Sequence, residues 1–199
     1  MKPIFKGIPI FQLIFIINTL VLENNIKAQC VINITDGILG NYNVRTNYLN
    51  CTINVNTRLS LRGNITFKDC VFNMDANAEI NMHKPYQSFG LRRNNVVLFD
   101  HCKFGGSSST KWKGINVASG SYLSVINSSE IEDALIGING AYQSNCRIIG
   151  TSFSSCNIGL NFPNLDSRFN SGTFAAINLN DFSGNKFRNL LLGLKLMVL

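Results

Sequence analysis

The chain is poor in the groups on which many enzymes and nucleic-acid binders depend. Its 199 residues hold two histidines, eleven acidic residues and one tryptophan. Neither histidine sits in a nucleophile phrase, so no Ser-His-Asp arrangement is suggested. A glycine-rich phosphate loop is missing. The six cysteines include no C-x-x-C pair, which argues against a zinc site. The 18 Lys and Arg residues are scattered and form no stripe interleaved with aromatics, so no nucleic-acid partner is expected. The net charge of +7 reads as a mildly basic, solvated surface, with some attraction for acidic polysaccharide.

Long apolar runs are scarce as well, except near the start. Lys2 and Lys6 precede the run Ile8 to Leu22, broken by Gln12, Asn18 and Thr19, and Asn24, Asn25, Lys27 and Ala28 follow it. Residues 1–28 therefore read as a secretory signal peptide. The run is short for a membrane span, so no membrane insertion is expected once the leader is removed. A retained anchor is the competing reading, and Gln29 argues against a lipid on Cys30. Without its leader the chain keeps 171 residues and a net charge of +5, enough for one domain in an oxidising, extracellular setting.

What is abundant is asparagine, 28 of 199 residues, and internal repetition. One phrase places an apolar residue, then a small or polar residue three positions on, then Phe or Ile after two more. Phe67-Cys70-Phe72, Phe99-Cys102-Phe104, Ile126-Ser129-Ile131, Ile148-Thr151-Phe153 and Phe182-Asn185-Phe187 fit it. A second phrase is glycine followed by an apolar residue, at Gly114-Ile115, Gly137-Ile138, Gly159-Leu160 and Gly193-Leu194. The step from Ile115 to Ile138 is 23 residues, and the next, to Leu160, is 22. Repeats of this length with insertions at fixed places suit a solenoid of short strands. Residues five apart face opposite ways on a straight strand. Two inward apolar ends therefore require a bend, for which Asp, Asn, Ser and Gly are suited. The small residues would stack as a ladder, and asparagine serves both turns and hydrogen-bonded ladders. A β-sandwich with chance similarity between strands is the alternative.

The residues W-K-G-I-N-V, G-S-Y-L-S-V-I-N-S-S-E-I-E-D-A and I-G-I resemble the right-handed parallel β-helix repeats of the pectin-lyase-like superfamily, over residues 55 to 196. The pattern is most similar to large secreted bacterial surface proteins, often exported through the type IX system. The resemblance implies an all-β, right-handed parallel β-helix of five to six coils. It leaves function open, because that superfamily holds lyases, hydrolases, esterases and adhesins. Residues 29–64 read as a cap with the first strands, and 65–199 as the repeats. The last segment, Asn189 to Leu199, opens another coil and stops, which leads us to expect the N-terminal part of a longer protein. The chain is expected to be a monomer unless that open coil associates.

Candidate sites follow. Val97 to Cys102 resembles the W-I-D-H phrase of pectate lyases, which would make Asp100 a calcium ligand, with Asp69 on the adjacent coil; calcium is the one cofactor so implied. Leu98 stands where that phrase has Trp, and the R-x-P-x-x-R phrase of those enzymes is absent. The N-T-D, D-D, G-H-G and R-I-K phrases of polygalacturonases are absent too. Glu130 and Glu132 flank an inward Ile131 and so face solvent. Trp112, between Lys111 and Lys113, either stacks on a sugar or packs at the start of a strand. Residues 73–95 read as an insertion carrying His83, Arg92 and Arg93, the loop where a ligand would be met. Cys70 and Cys102 are repeat equivalents, either stacked thiols or a disulfide, and Cys30 and Cys51 are placed to staple the cap. These features favour a secreted, non-catalytic surface or adhesion module that binds carbohydrate. The alternative is a calcium-dependent polysaccharide lyase.

Overall fold

The structure, a computed structural model, describes residues 30–88, 91–106, 110–162, 186–188 and 192–196; for 86–88, 91–93, 186–188 and 192–196 the backbone alone is described. Among these residues every regular element is a β-strand. The strands stack in parallel as a β-solenoid of about six turns.

Each turn of the solenoid has three faces. The first holds β2 (Thr46–Leu49), β4 (Asn64–Lys68), β9 (Val96–Asp100), β12 (Tyr122–Ile126) and β15 (Asn145–Ile148). The second holds the front halves of β1 (Cys30–Leu39) and β3 (Cys51–Leu61). It continues through β5 (Val71–Met74), β10 (Lys103–Gly106), β13 (Glu130–Glu132), β16 (Ser152–Ser154) and β18 (Lys186–Arg188). The third takes the rear halves of β1 and β3, then β6 (Glu79–Met82), β11 (Gly114–Val117), β14 (Ile136–Gly140), β17 (Ile158–Phe162) and β19 (Leu192–Leu196). A small antiparallel hairpin, β7 (Tyr86–Ser88) and β8 (Leu91–Arg93), projects between the third face of one coil and the first face of the next.

Register places the repeat residues in columns. On the first face Tyr48, Phe67, Phe99, Val125 and Ile148 align. On the second, Ile53, Phe72, Phe104, Ile131, Phe153 and Phe187 align. On the third, Leu59, Ile80, Ile115, Ile138, Leu160 and Leu194 align. From Ile53 to Phe153 and from Leu59 to Leu160 those columns fill the core, where rings of the first and second faces meet. Phe67 stacks on Tyr48 and Phe99, Phe72 on Phe104, and the two stacks touch edge to face at 4.9 to 5.5 Å. Such offset and edge-on contacts add to the area that the rings bury.

The bend between the apolar ends is a residue in the left-handed region. Asn50, Asp69 and His101 hold φ of 52° to 54° at the corner between the first and second faces. These residue types tolerate that region better than branched ones. The small-residue ladder follows at once: Cys70, Cys102, Ser129 and Thr151 are all buried.

Two expectations need correction. The repeat through Ser129 starts at Val125, not Ile126. Val125 pairs with Phe99 and Ile148, whereas Ile126 pairs with Asp100 and is half-buried on the outer side. The corner is one residue longer, and Asn127 and Ser128 both adopt positive φ to absorb it. The insertion is also shorter than 73–95. Residues 79–82 form β6, whose Glu79-Ile80 stands where later coils have Gly-Ile. In the segment before the clear repeats, β1 and β3 already carry the register of two faces, with one irregularity between Ile34 and Asp36. A disulfide joins Cys30 to Cys51 there. Residues 1–28, read from the sequence as a signal peptide, and Phe182 and Asn185 lie outside the described residues.

Asparagine forms outer ladders. Asn54 donates to Asn33 and Asn73 to Asn54 on the second face. Asn116 donates to Asn81, Asn139 to Asn116 and Asn161 to Asn139 on the third. The first ladder stops at Gly105, which pairs with Asn73 and where a Cβ would meet nothing within 4 Å. Gly105→Asn should therefore extend the ladder and remove the flexibility of a strand glycine, stabilising the fold by about 1 kcal/mol. Thermal unfolding would read this as a rise of about 2–4 °C, with Gly105→Ala giving part of it.

Candidate functional site

The residues singled out from the sequence fall in four places. Trp112 is in the core, fully buried, with its ring stacked over Phe104 at 6.3 Å and its indole N–H donating to Glu132 O at 2.6 Å. It therefore offers no face to a sugar, and packing is its role in this fold. It fits because the facing coils have small residues: Trp112 bridges to Ala134, and Lys113 N–H donates to Ala78 O beside it.

Asp69 and Asp100 do lie on neighbouring coils, with Asp69 N–H donating to Asp100 O. Their carboxylates are engaged separately. Asp69 Oδ1 lies 2.8 Å from His101 Nδ1, and Asp100 Oδ1 accepts from the Asn127 amide at 2.6 Å. Among the described residues no group of three or more His, Cys, Asp or Glu is placed to hold a metal ion.

His83, Arg92 and Arg93 belong to the hairpin insertion. His83 is half-buried, and burial together with the nearby Arg62 guanidinium holds its pKa below the ordinary histidine value. Its carbonyl accepts from buried Asn95 and from the Ser121 hydroxyl, which ties the hairpin base to the solenoid. Tyr42 donates to Lys84 O across the same base. Arg92 pairs with Gln87, and Arg93 with Tyr86, through the hairpin backbone. Glu130 and Glu132 are on the outer side, bound to Lys103 and Ser154 respectively.

Another surface feature lies among the described residues, on the outside of the first face. A groove of about 390 Å³ runs across the strands there, within the size range of small-ligand sites. Its floor is two outward columns. Val96 and Tyr122 align in one, and Thr66, Leu98, Ser124 and Arg147 in the other. Ser124 is small between Leu98 and Arg147, which deepens the surface at that point. Ile126, outward by strand alternation like Tyr122 and Ser124, closes one side. Exposed Arg45 and Arg147 stand at opposite ends of the groove. Their coils are four strand spacings apart, about 19 Å along the axis. Among the described residues that line it there is no carboxylate and no histidine.

Sequence reasoning missed this groove, yet a signal was present. Val96 to Phe99 is apolar without alternation, and a strand apolar on both faces buries one and offers the other. Arg45 and Arg147 carry no motif and join only through register. Comparison with known proteins adds no family: no family model, no curated protein and no solved structure matches the chain.

Proposed function

We propose that this chain is a secreted, non-catalytic β-solenoid surface module that binds an acidic polysaccharide along its first face. The observation that carries the reading is the groove with an arginine at each end, apolar and hydroxyl groups between, and no acidic residue among the described residues of its lining. Guanidinium forks match carboxylates in a bidentate way, and a tyrosine ring offers an apolar surface with a polar tip. An extended, negatively charged sugar chain fits that spacing better than a compact ligand. The want of a carboxylate or histidine in the lining supports binding over acid–base cleavage of a glycosidic bond. The leader-like residues 1–28 and the Cys30–Cys51 disulfide support an extracellular setting.

The test uses labelled oligogalacturonate and an uncharged glucan oligomer of equal length. The uronate should bind and the glucan should not. Arg45→Ala and Arg147→Ala should each weaken uronate binding about tenfold or more, the size of a lost charge-assisted hydrogen bond. Raising salt to about 1 M should weaken it further, since these charges are exposed. Equal binding of both oligomers, or variants that bind like the parent, would defeat the reading. Cleavage of the uronate in the presence of calcium would instead favour a lyase.

A further inference from the structure

The corner between the first and second faces carries a column that starts with four cysteines. Cys30 and Cys51 are register partners with Cα atoms 4.5 Å apart, and their sulfurs are bonded. Thr52 pairs with Val71, and Val71 with Lys103, so the preceding residues Cys51, Cys70 and Cys102 continue the same column. Neighbours in it are one strand spacing apart, about 4.8 Å, which a disulfide can span.

The sulfurs are also turned alike. Cys51 Sγ lies 3.5 Å from Leu49 O, Cys70 Sγ 3.3 Å from Lys68 O and Cys102 Sγ 3.6 Å from Asp100 O, in each case the carbonyl two residues earlier. Cys70 and Cys102 interact directly through their thiols. That hydrogen bond holds the Cys70 thiol below its ordinary pKa and, with burial, pushes that of Cys102 up. Beyond Cys102 the column continues as Ser129 and Thr151, so the run of sulfur ends there. Exposure falls along it: Cys30 is half-buried, while Cys51, Cys70 and Cys102 are 4%, 1% and 0% exposed.

We infer that this column is a thiol–disulfide exchange path, along which the Cys30–Cys51 bond is passed inward to become a Cys70–Cys102 bond. In the first step the Cys70 thiolate attacks Cys51 Sγ. The Cys51–Cys70 bond forms, the Cys30–Cys51 bond breaks, and Cys30 leaves as a thiolate that takes up the proton Cys70 gave away. In the second step Cys102, no longer sharing its proton with a free Cys70 sulfur, attacks Cys70 Sγ. The Cys70–Cys102 bond forms, the Cys51–Cys70 bond breaks, and Cys51 takes the proton released by Cys102. Each step exchanges one S–S bond for another without net oxidation. Restoring the outer pair consumes one external small disulfide, such as oxidised glutathione, which leaves as two thiols. The end state staples four coils in two pairs. The outer pair is the more accessible end of the column, and the two inner thiols are reached through Cys51, since exchange rates follow access.

The experiment treats the purified full chain with oxidised glutathione, quenches with acid, and maps linkages by alkylation and peptide mass. A Cys70–Cys102 linkage should appear in the parent protein. Cys51→Ser should slow it at least about tenfold by closing the path. Cys30→Ser should leave it fast, because Cys51 still accepts glutathione as a mixed disulfide and passes the bond on. Both variants lose the outer staple, so a mere loss of stability would move them alike. A third variant, Cys102→Ser, should accumulate Cys51–Cys70 with Cys30 free to alkylate. No Cys70–Cys102 linkage in the parent, an unslowed rate in Cys51→Ser, or no Cys51–Cys70 bond in Cys102→Ser would each overturn the inference.

Discussion

Gly114→Ala should destabilise the protein by about 2–5 kcal/mol, the sum of a strained backbone and an overpacked contact. Gly114 opens β11 with φ of +113°, a conformation that side-chain-bearing residues rarely adopt. A Cβ there would lie 1.6 Å from the carbonyl oxygen of Ile136 on the next coil. That atom is backbone, so no side-chain rotation relieves the clash. Moving it would also disturb the coil-to-coil bond from Ile136 N–H to Lys113 O. At Gly114 and Gly137 the glycine phrase thus has a cause: there the next coil's backbone approaches too closely for a side chain, whereas β6 admits Glu79 at the same register. Gly105→Ala, where the added methyl meets open space, is the matched control. Urea unfolding of both variants checks this. A Gly114→Ala midpoint equal to that of the parent would contradict the close approach of the two coils.

Trp112→Ala should cost about 3–5 kcal/mol, the usual range for deleting a large buried ring. The indole is fully buried, stacked on Phe104 and hydrogen-bonded to Glu132 O, with alanines on the facing coils that cannot refill the space. At about 2–4 °C per kcal/mol, the melting temperature should fall by roughly 10 °C. Trp112→Phe should recover most of the loss. Saccharide binding by the folded variant should stay within about twofold of the parent, well under the tenfold step of 1.4 kcal/mol. Because this is the only tryptophan, its fluorescence is a direct report. Blue-shifted emission that does not respond to added saccharide is expected. A variant that melts like the parent but no longer binds would return Trp112 to the surface as a stacking residue.

The repeat was legible because its residues do one job in every coil. Phe72, Phe104, Ile131 and Phe153 all point inward after a left-handed or polar bend, so the same types recur at the same spacing. Reading failed where a coil meets the same geometry by other means. The corner before Ser129 takes two left-handed residues in place of one, which shifted the apparent phrase by one position. In β6, Glu79 stands where glycine was expected, and the strand was taken for loop. Trp112 was ambiguous because a tryptophan beside two lysines reads the same whether it packs or stacks, and only the small residues on neighbouring coils decide it. The groove was the least legible feature, since Arg45, Tyr122 and Arg147 are brought together by register across four coil steps.

The first face is proposed to be a binding surface with no chemistry of its own. The most direct test is calorimetric titration of oligogalacturonate into the protein with a calcium chelator present, followed by chromatography of the recovered sugar. We predict saturable heat that survives the chelator, is lost in an Arg45→Ala/Arg147→Ala double variant, and leaves the oligomer at its original length. No heat, or shortened sugar products that appear only when calcium is restored, would contradict it.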